Sequence, residues 1–276
     1  MKRTKLMIGD NIESLKKLPD NSIDSIVTDP PYGLSFMGKK WDYDVPSVQF
    51  WKEVWRVLKP GGHVLSFGGS RTYHRMVVNI EDAGFEIRDQ IMWLYGSGFP
   101  KSRNIGKDIE KINVDIPVYE INNEYEGWGT ALKPANEPIC VARKPLSEKS
   151  VAENVLRWGT GGINVDGCRV GTTDTYNYKN GPQGNSFSVG KEPDGKRTEP
   201  VEMNSEGRFP ANIILDEIAG ELLDEQSGIS KTKADLNYKH NKTNSESDVF
   251  QSRGTYTPRE DKGGASRFFY QAKVSK

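Results

Sequence analysis

Ile23-Asp24-Ser25-Ile26-Val27-Thr28-Asp29-Pro30-Pro31-Tyr32 is the stretch that decides the fold. Its first six residues form a β-branched run that reads as a strand, and two prolines forbid that strand to continue. Upstream, Lys5-Leu6-Met7-Ile8-Gly9 reads as a shorter strand, with Asp10 or Asn11 capping a helix through Leu15 to Leu18. Downstream, Val48, Trp51, Val54, Trp55 and Leu58 recur at helical spacing until Lys59-Pro60-Gly61-Gly62 stops the helix, and the two tryptophans read as core. His63 to Phe67 is the next strand. Ser70 is expected to cap a helix whose Tyr73, Met76, Val77 and Ile80 share a face, and Gly84 to end it. Phe85 to Leu94 and Glu137 to Arg143 supply two further strands. Strands alternating with helices predict an α/β fold with an open, mostly parallel sheet covered on its faces.

The chain has 276 residues, enough for one large domain or two small ones. Its 38 Lys and Arg balance 38 Asp and Glu, which excludes a protein that holds nucleic acid by bulk charge and leaves only local patches for such contacts. Cys140 and Cys168 are too few for a disulfide framework, and no Cys or His stands near them at zinc-ligand spacing, so two reduced thiols and no metal are expected. The N-terminal segment has no apolar stretch of signal-peptide length and no later run reaches bilayer length, which predicts a soluble, cytoplasmic protein. Residues 170–205 and 227–265 are polar and nearly free of aliphatic side chains, so they read as loops, with Arg208 to Asp216 an apolar island between them. Phe268 to Lys273 reads as a returning strand. The resulting division is a catalytic core over 1–145, an irregular region over 146–265 and a core strand over 266–276.

Asp29-Pro30-Pro31-Tyr32 falls just beyond the carboxyl end of a strand, where open α/β sheets place ligands. A carboxylate and a carbonyl that accept hydrogen bonds from an exocyclic amine, such as adenine N6, orient that nitrogen and raise its nucleophilicity. Asp29 and the Pro30 carbonyl are the two acceptors. The prolines hold both in an extended turn, so little reorganisation is needed at the moment of reaction. Tyr32 offers a face on which an extracted base can stack. The plainer alternative is a proline-rich turn capped by an aspartate beside a core tyrosine.

These residues resemble the S-adenosylmethionine-dependent DNA amino-methyltransferases of bacteria and phages, which carry (Asp/Asn/Ser)-Pro-Pro-(Tyr/Phe/Trp) after the fourth strand of a seven-stranded Rossmann-like sheet. The likeness extends to Ile8-Gly9-Asp10, Gly38-Lys39-Lys40-Trp41-Asp42, Leu58-Lys59-Pro60-Gly61-Gly62 and Trp93 through Ser102. It continues in Trp128-Gly129-Thr130-Ala131-Leu132-Lys133-Pro134 and Gly207-Arg208-Phe209-Pro210-Ala211-Asn212. The resemblance implies that Asp29, Pro30, Pro31 and Tyr32 bind and activate the target base of double-stranded DNA, and that Asp10, with Asp29, lies against the cofactor S-adenosylmethionine. A helix cap is an equal reading of Asp10. Lys101, Arg103, Lys133, Arg143 and Lys144 are candidate phosphate contacts, and 146–265 falls where the family reads its DNA site. An Asp at the head of the motif favours adenine N6. Cytosine N4, an RNA or protein amide nitrogen, or a non-catalytic DNA-binding remnant are the alternatives, and the absence of Gly-x-x-x-x-Gly-Lys-(Ser/Thr) argues against a nucleotide hydrolase.

Relatives with this motif order place a Phe-x-Gly-x-Gly cofactor loop after the recognition region, and the sequence contains none. In the family's order Lys5 to Gly9 corresponds to the third strand and Ile23 to Thr28 to the fourth. The two strands between them are absent, a gap of roughly 14 Å at ordinary strand spacing. The expectation is a truncated or split enzyme that requires a C-terminal complementing half, or a second copy, to hold its cofactor.

Overall fold

The computed structural model describes residues 4–35, 38–112, 124–171, 207–231 and 262–272. The chain divides into two compact units, Met1–Ile163 with Asn212–Gly220 and Gln271–Lys276, and Asn164–Ala211 with Glu221–Tyr270. The first boundary thus falls at 163 rather than at 145, and part of the Arg208 to Asp216 island belongs to the first unit. Most of the stretches expected as polar loops lie outside the described residues.

In the first unit, Asp10 caps α1 (Asn11–Leu15) by accepting a hydrogen bond from the Glu13 amide at 3.0 Å. β1 (Ile23–Thr28) follows, then α2 (Val48–Val57), whose Ser47 cap accepts from the Phe50 amide. The chain passes from α2 directly into β2 (Leu58–Phe67), so Lys59-Pro60-Gly61-Gly62 ends the helix but also begins the strand. α3 (Tyr73–Asp82) starts after Thr72 rather than Ser70, with no side-chain cap, and leads through Gly84 at φ +103° into β3 (Glu86–Leu94). α4 (Ile105–Lys111), β4 (Asn136–Arg143), α5 (Val151–Trp158) and β5 (Ile213–Leu215) come next. α6 (Glu217–Ser227) and, at the end of the chain, Tyr270–Gln271 cross the boundary between the units.

The six-stranded sheet runs β1, β2, β4, β3, β5 and then Tyr270–Gln271. β1 is parallel to β2 (Thr28 opposite Ser66) and β3 to β5 (Met92 opposite Ile213), whereas β4 is antiparallel to both β2 and β3. β1, β2, β3 and β5 therefore share one direction, and the reversed β4 brings its first residues, Asn136 and Glu137, to the carboxyl end of the others. The strand expected over Lys5 to Gly9 is not formed. Leu6 and Ile8 are 82% and 90% exposed, and β1 is the outermost strand, with no partner beyond it among the described residues.

One face of the sheet is well covered. Trp51 and Val54 of α2 and Met76 and Ile80 of α3 pack on Val64, Cys140 and Ala142, each such side chain contributing about 1.5–3 kcal/mol of burial. Trp55 of the same helix as Trp51 instead reaches solvent, and on β1 the outward Val27 is 68% exposed. α5 is held by the fully buried Asn154, which donates to the carbonyls of Pro60 (2.9 Å) and Thr160 (2.8 Å) and accepts from the Ser147 amide (3.1 Å). Gly61, at φ +78°, lies close against the Asn154 amide, where a side chain would not fit.

In the second unit Val170 and Arg208 exchange backbone hydrogen bonds, and Arg208 and Arg267 both lie over the Phe268 ring, at 4.8 and 4.2 Å. β6 (Ser230–Lys231) pairs with β7 (Lys262–Gly263), and Asp224 accepts from the amide and hydroxyl of Ser266 at 2.7 and 2.8 Å. Both cysteines are free, Cys140 buried and Cys168 exposed. Among the described residues no helix is long and apolar enough to cross a membrane, and no cluster of His, Cys, Asp and Glu is arranged to hold a metal.

Candidate base-binding site

Asp29 and Pro30 follow the last residue of β1. Asp29 is exposed, Pro30 is buried and Tyr32 is half-buried, so the carboxylate faces solvent while the ring is set into the fold. Three contacts fix Tyr32. Its hydroxyl donates to Glu137 Oε2 at 3.3 Å, its backbone carbonyl accepts from the Thr72 hydroxyl, and Gly69 leaves just enough room for its ring, since a Cβ there would stand 3.2 Å away. Glu137 reaches the site because β4 runs against its neighbours. Burial, a hydrogen bond to Asp29 and the Glu137 charge push the Tyr32 phenol far above its usual range. It stays protonated and donates to Glu137.

The turn that follows is folded around Asp42, which is 3% exposed. Its carboxylate accepts from the amides of Gly33 (3.0 Å) and Leu34 (3.3 Å), and its carbonyl from that of Ser35 (2.7 Å). The loops leaving β3 and entering β4 are paired with each other. Ser102 Oγ accepts from the amides of Thr130 (2.9 Å) and Ala131 (3.3 Å), the Arg103 amide donates to Thr130 Oγ1 (3.0 Å), and the Ile105 amide to the Trp128 carbonyl (3.0 Å). Gly96 anchors this arrangement. Its amide is bound by both oxygens of Asp216 and its carbonyl by Lys133 Nζ at 2.7 Å.

Of the cations singled out in the sequence, Lys101, Arg103 and Lys133 lie on these paired loops, at the same end of the sheet as Tyr32. Arg103 pairs with Asp108 at 2.8 Å. Arg143 and Lys144 do not join them. They end β4 about 20 Å along the strand from Glu137 and are 8% and 4% exposed. Arg143 is held by Glu86 at 2.6 Å, while the Lys144 ammonium donates to Asn21 Oδ1, the Trp55 carbonyl and the Leu58 carbonyl at 2.7–2.9 Å and sits 3.8 Å over the Trp55 ring. These two cations are consumed inside the fold, which corrects the expectation that they meet phosphate. Asp10 is spent as the α1 cap and is exposed. Glu137, Thr72 and Asp216 carried no signal in the sequence, because their roles depend on which strands become neighbours.

The described residues supply acceptors for an amine and a ring for a base. Among the described residues β1 is open along its outer edge, and Val27, Leu6 and Ile8 are exposed.

Among curated proteins the chain is similar to the type II methyltransferase M.HindIII of Haemophilus influenzae, at 29% identity over 56% of this chain and 63% of that protein. It is also similar to M.HpaI of Haemophilus parainfluenzae, at 35% over 36% and 34%. The matches thus span less than two thirds of these relatives. Solved structures that resemble it include a DNA modification methylase of Thermus thermophilus, at 22% identity, TM-score 0.33 and 52% and 54% coverage, complexed with S-adenosyl-L-methionine. Another is the cytosine-N4-specific PvuII DNA methyltransferase, at 21%, TM-score 0.34 and 52% and 51% coverage. A family model described as DNA methylase, covering N6 and N4 amino-methyltransferases, matches residues 23–184, from the first residue of β1 through the Asp29-Pro30-Pro31-Tyr32 turn and all of β4. With more than half of its length inside that model, the chain belongs to the DNA methylase family.

Proposed function

We propose that the chain is the base-binding part of a site-specific DNA methyltransferase that modifies adenine at N6 with S-adenosylmethionine as methyl donor. The observation that carries this reading is the exposed Asp29 carboxylate and adjacent Pro30 carbonyl at the carboxyl end of β1, beside a Tyr32 ring fixed by Gly69, Thr72 and Glu137. The target base leaves the duplex. One amino hydrogen is received by Asp29 and the other by the Pro30 carbonyl, which aims the nitrogen lone pair away from both acceptors. The ring stacks on Tyr32, whose hydroxyl stays engaged by Glu137 and cannot swing into the space of the base. Alignment contributes more than acid–base chemistry, because the group to be transferred is already electrophilic.

The open edge of β1 among the described residues supports a working enzyme in which further strands, carrying the cofactor loop, pair with β1. A complementing segment is the proposed source, and a second copy of the chain the alternative. Double-stranded DNA in a bacterial cytoplasm is the proposed substrate and setting. The test is transfer of labelled methyl to mixed-sequence DNA by the chain alone and with an added segment bearing the cofactor loop. Transfer only with the segment is expected. Tight cofactor binding and transfer by the chain alone contradict the open-edge account, and no transfer with DNA still bound points to a non-catalytic DNA-binding protein.

A further inference from the structure

The turn after Tyr32 carries a group of side chains that neither the core nor the base site uses. Trp41 and Tyr43 are 62% and 59% exposed, on either side of the buried Asp42. A single exposed aromatic residue is ordinary on a protein surface. Here two of them flank a carboxylate whose hydrogen bonds to Gly33 and Leu34 tie them to the segment that holds the base. Lys40–Asp42 is coiled into a helical turn capped by Lys39, with the Asp42 amide bonded to the Lys39 carbonyl at 3.1 Å. Gly33, at φ +67°, lets the two limbs approach, since a Cβ there would meet the Val45 nitrogen at 3.0 Å. Lys39 and Lys40 are exposed and form no ion pair among the described residues.

From this arrangement, and resting on the proposed function, we infer that Lys39–Tyr43 is a DNA-contacting finger beside the base site. Trp41 and Tyr43 stack on bases left unpaired when the target leaves the helix, and Lys39 and Lys40 hold the adjacent phosphates. The chemistry fits such a substrate. Every base has a π-face, so indole and phenol rings grip an opened duplex without reading its sequence. Two lysines add a salt-sensitive hold where the net charge of the chain provides none. Attachment through Asp42 means that the finger and Tyr32 meet one stretch of DNA together.

The test uses the full chain and two duplexes of the same mixed sequence, one intact and one with a single abasic nucleotide that mimics an emptied stack. Trp41→Ala is expected to weaken binding to the abasic duplex about 5- to 100-fold, the loss of one stacked base, and the intact duplex less. Trp41→Phe keeps an aromatic face and retains most of the preference. Lys39→Ala with Lys40→Ala is expected to weaken both duplexes alike and to lower the salt slope by about one for each lysine removed. Binding unchanged in the tryptophan and lysine variants, with the parent chain binding normally, overturns the finger and leaves the proposed function standing. A parent chain that binds neither duplex overturns both.

Discussion

Replacing Lys144 by Met removes a titrating group without opening a large cavity, so it isolates what the buried ammonium does to stability. Burial lowers the Lys144 pKa from 10.5 to about 8, and the residue is 4% exposed. Below that folded value both states carry the proton, and the desolvation penalty on the charged form is fully present in the fold. As pH rises through about 8 the folded state releases its proton while the unfolded chain keeps its own up to 10.5. The unfolded state then binds more protons and stability increases with pH. Linkage over these two values gives a gain of about 2 kcal/mol between about pH 7 and about pH 9.5. Cys140 and Tyr73, whose burial raises them to about 11 and about 12, pull stability the other way in alkali, but they act equally in both proteins. The assay is denaturant unfolding of the parent chain and Lys144→Met across that range, read as the difference between the two. Parallel curves would refute the buried-ammonium reasoning, and a loss of DNA affinity with stability unchanged would restore Lys144 to the phosphate-binding surface.

Asn154→Ala leaves the Thr160 carbonyl and the Ser147 amide without their partner and should cost about 2–4 kcal/mol in thermal or denaturant unfolding. Gly96→Ala drives a Cβ into the Ile218 side chain beside the Asp216 clamp, for an expected loss of about 1–3 kcal/mol measured in the same way. Glu137→Ala deprives the Tyr32 hydroxyl of an acceptor and should lower kcat with little change in KM for DNA in the complemented enzyme. Glu137→Gln, which still accepts that hydrogen bond, should recover most of the rate, and equal losses in both variants would remove Glu137 from its positioning role.

Much of the first unit was legible because its periodic signals are local. β1 ends at Thr28 where two prolines remove strand donors, and α2 declares itself through Val48, Trp51 and Val54 recurring at helical spacing. α5 was legible in principle and was missed. Ser150 accepts from the Glu153 amide as the first half of a capping box, and Gly159 ends the helix at φ +75°. What stayed hidden depends on long-range pairing. β5 meets β3 across about 120 residues, and the reversal of β4, which delivers Glu137 to Tyr32, is written in no local pattern. Arg143 and Lys144 looked like surface cations because charge on a sequence says nothing of burial. They close the far end of β4, where Glu86 and the carbonyls at the end of α2 take up their donors. The Lys5 to Gly9 segment has strand chemistry, but a short apolar run gains little without a neighbouring strand to complete its ladder.

The most direct test of the base-site assignment is nucleoside analysis of DNA treated with the complemented enzyme, parent and Asp29→Ala side by side, with DNA affinity measured on both. The account predicts N6-methyladenine from the parent, none from Asp29→Ala, and similar DNA affinity. N4-methylcytosine from the parent would move the target from adenine to cytosine, and methylation that survives in Asp29→Ala would contradict the assignment of the site itself.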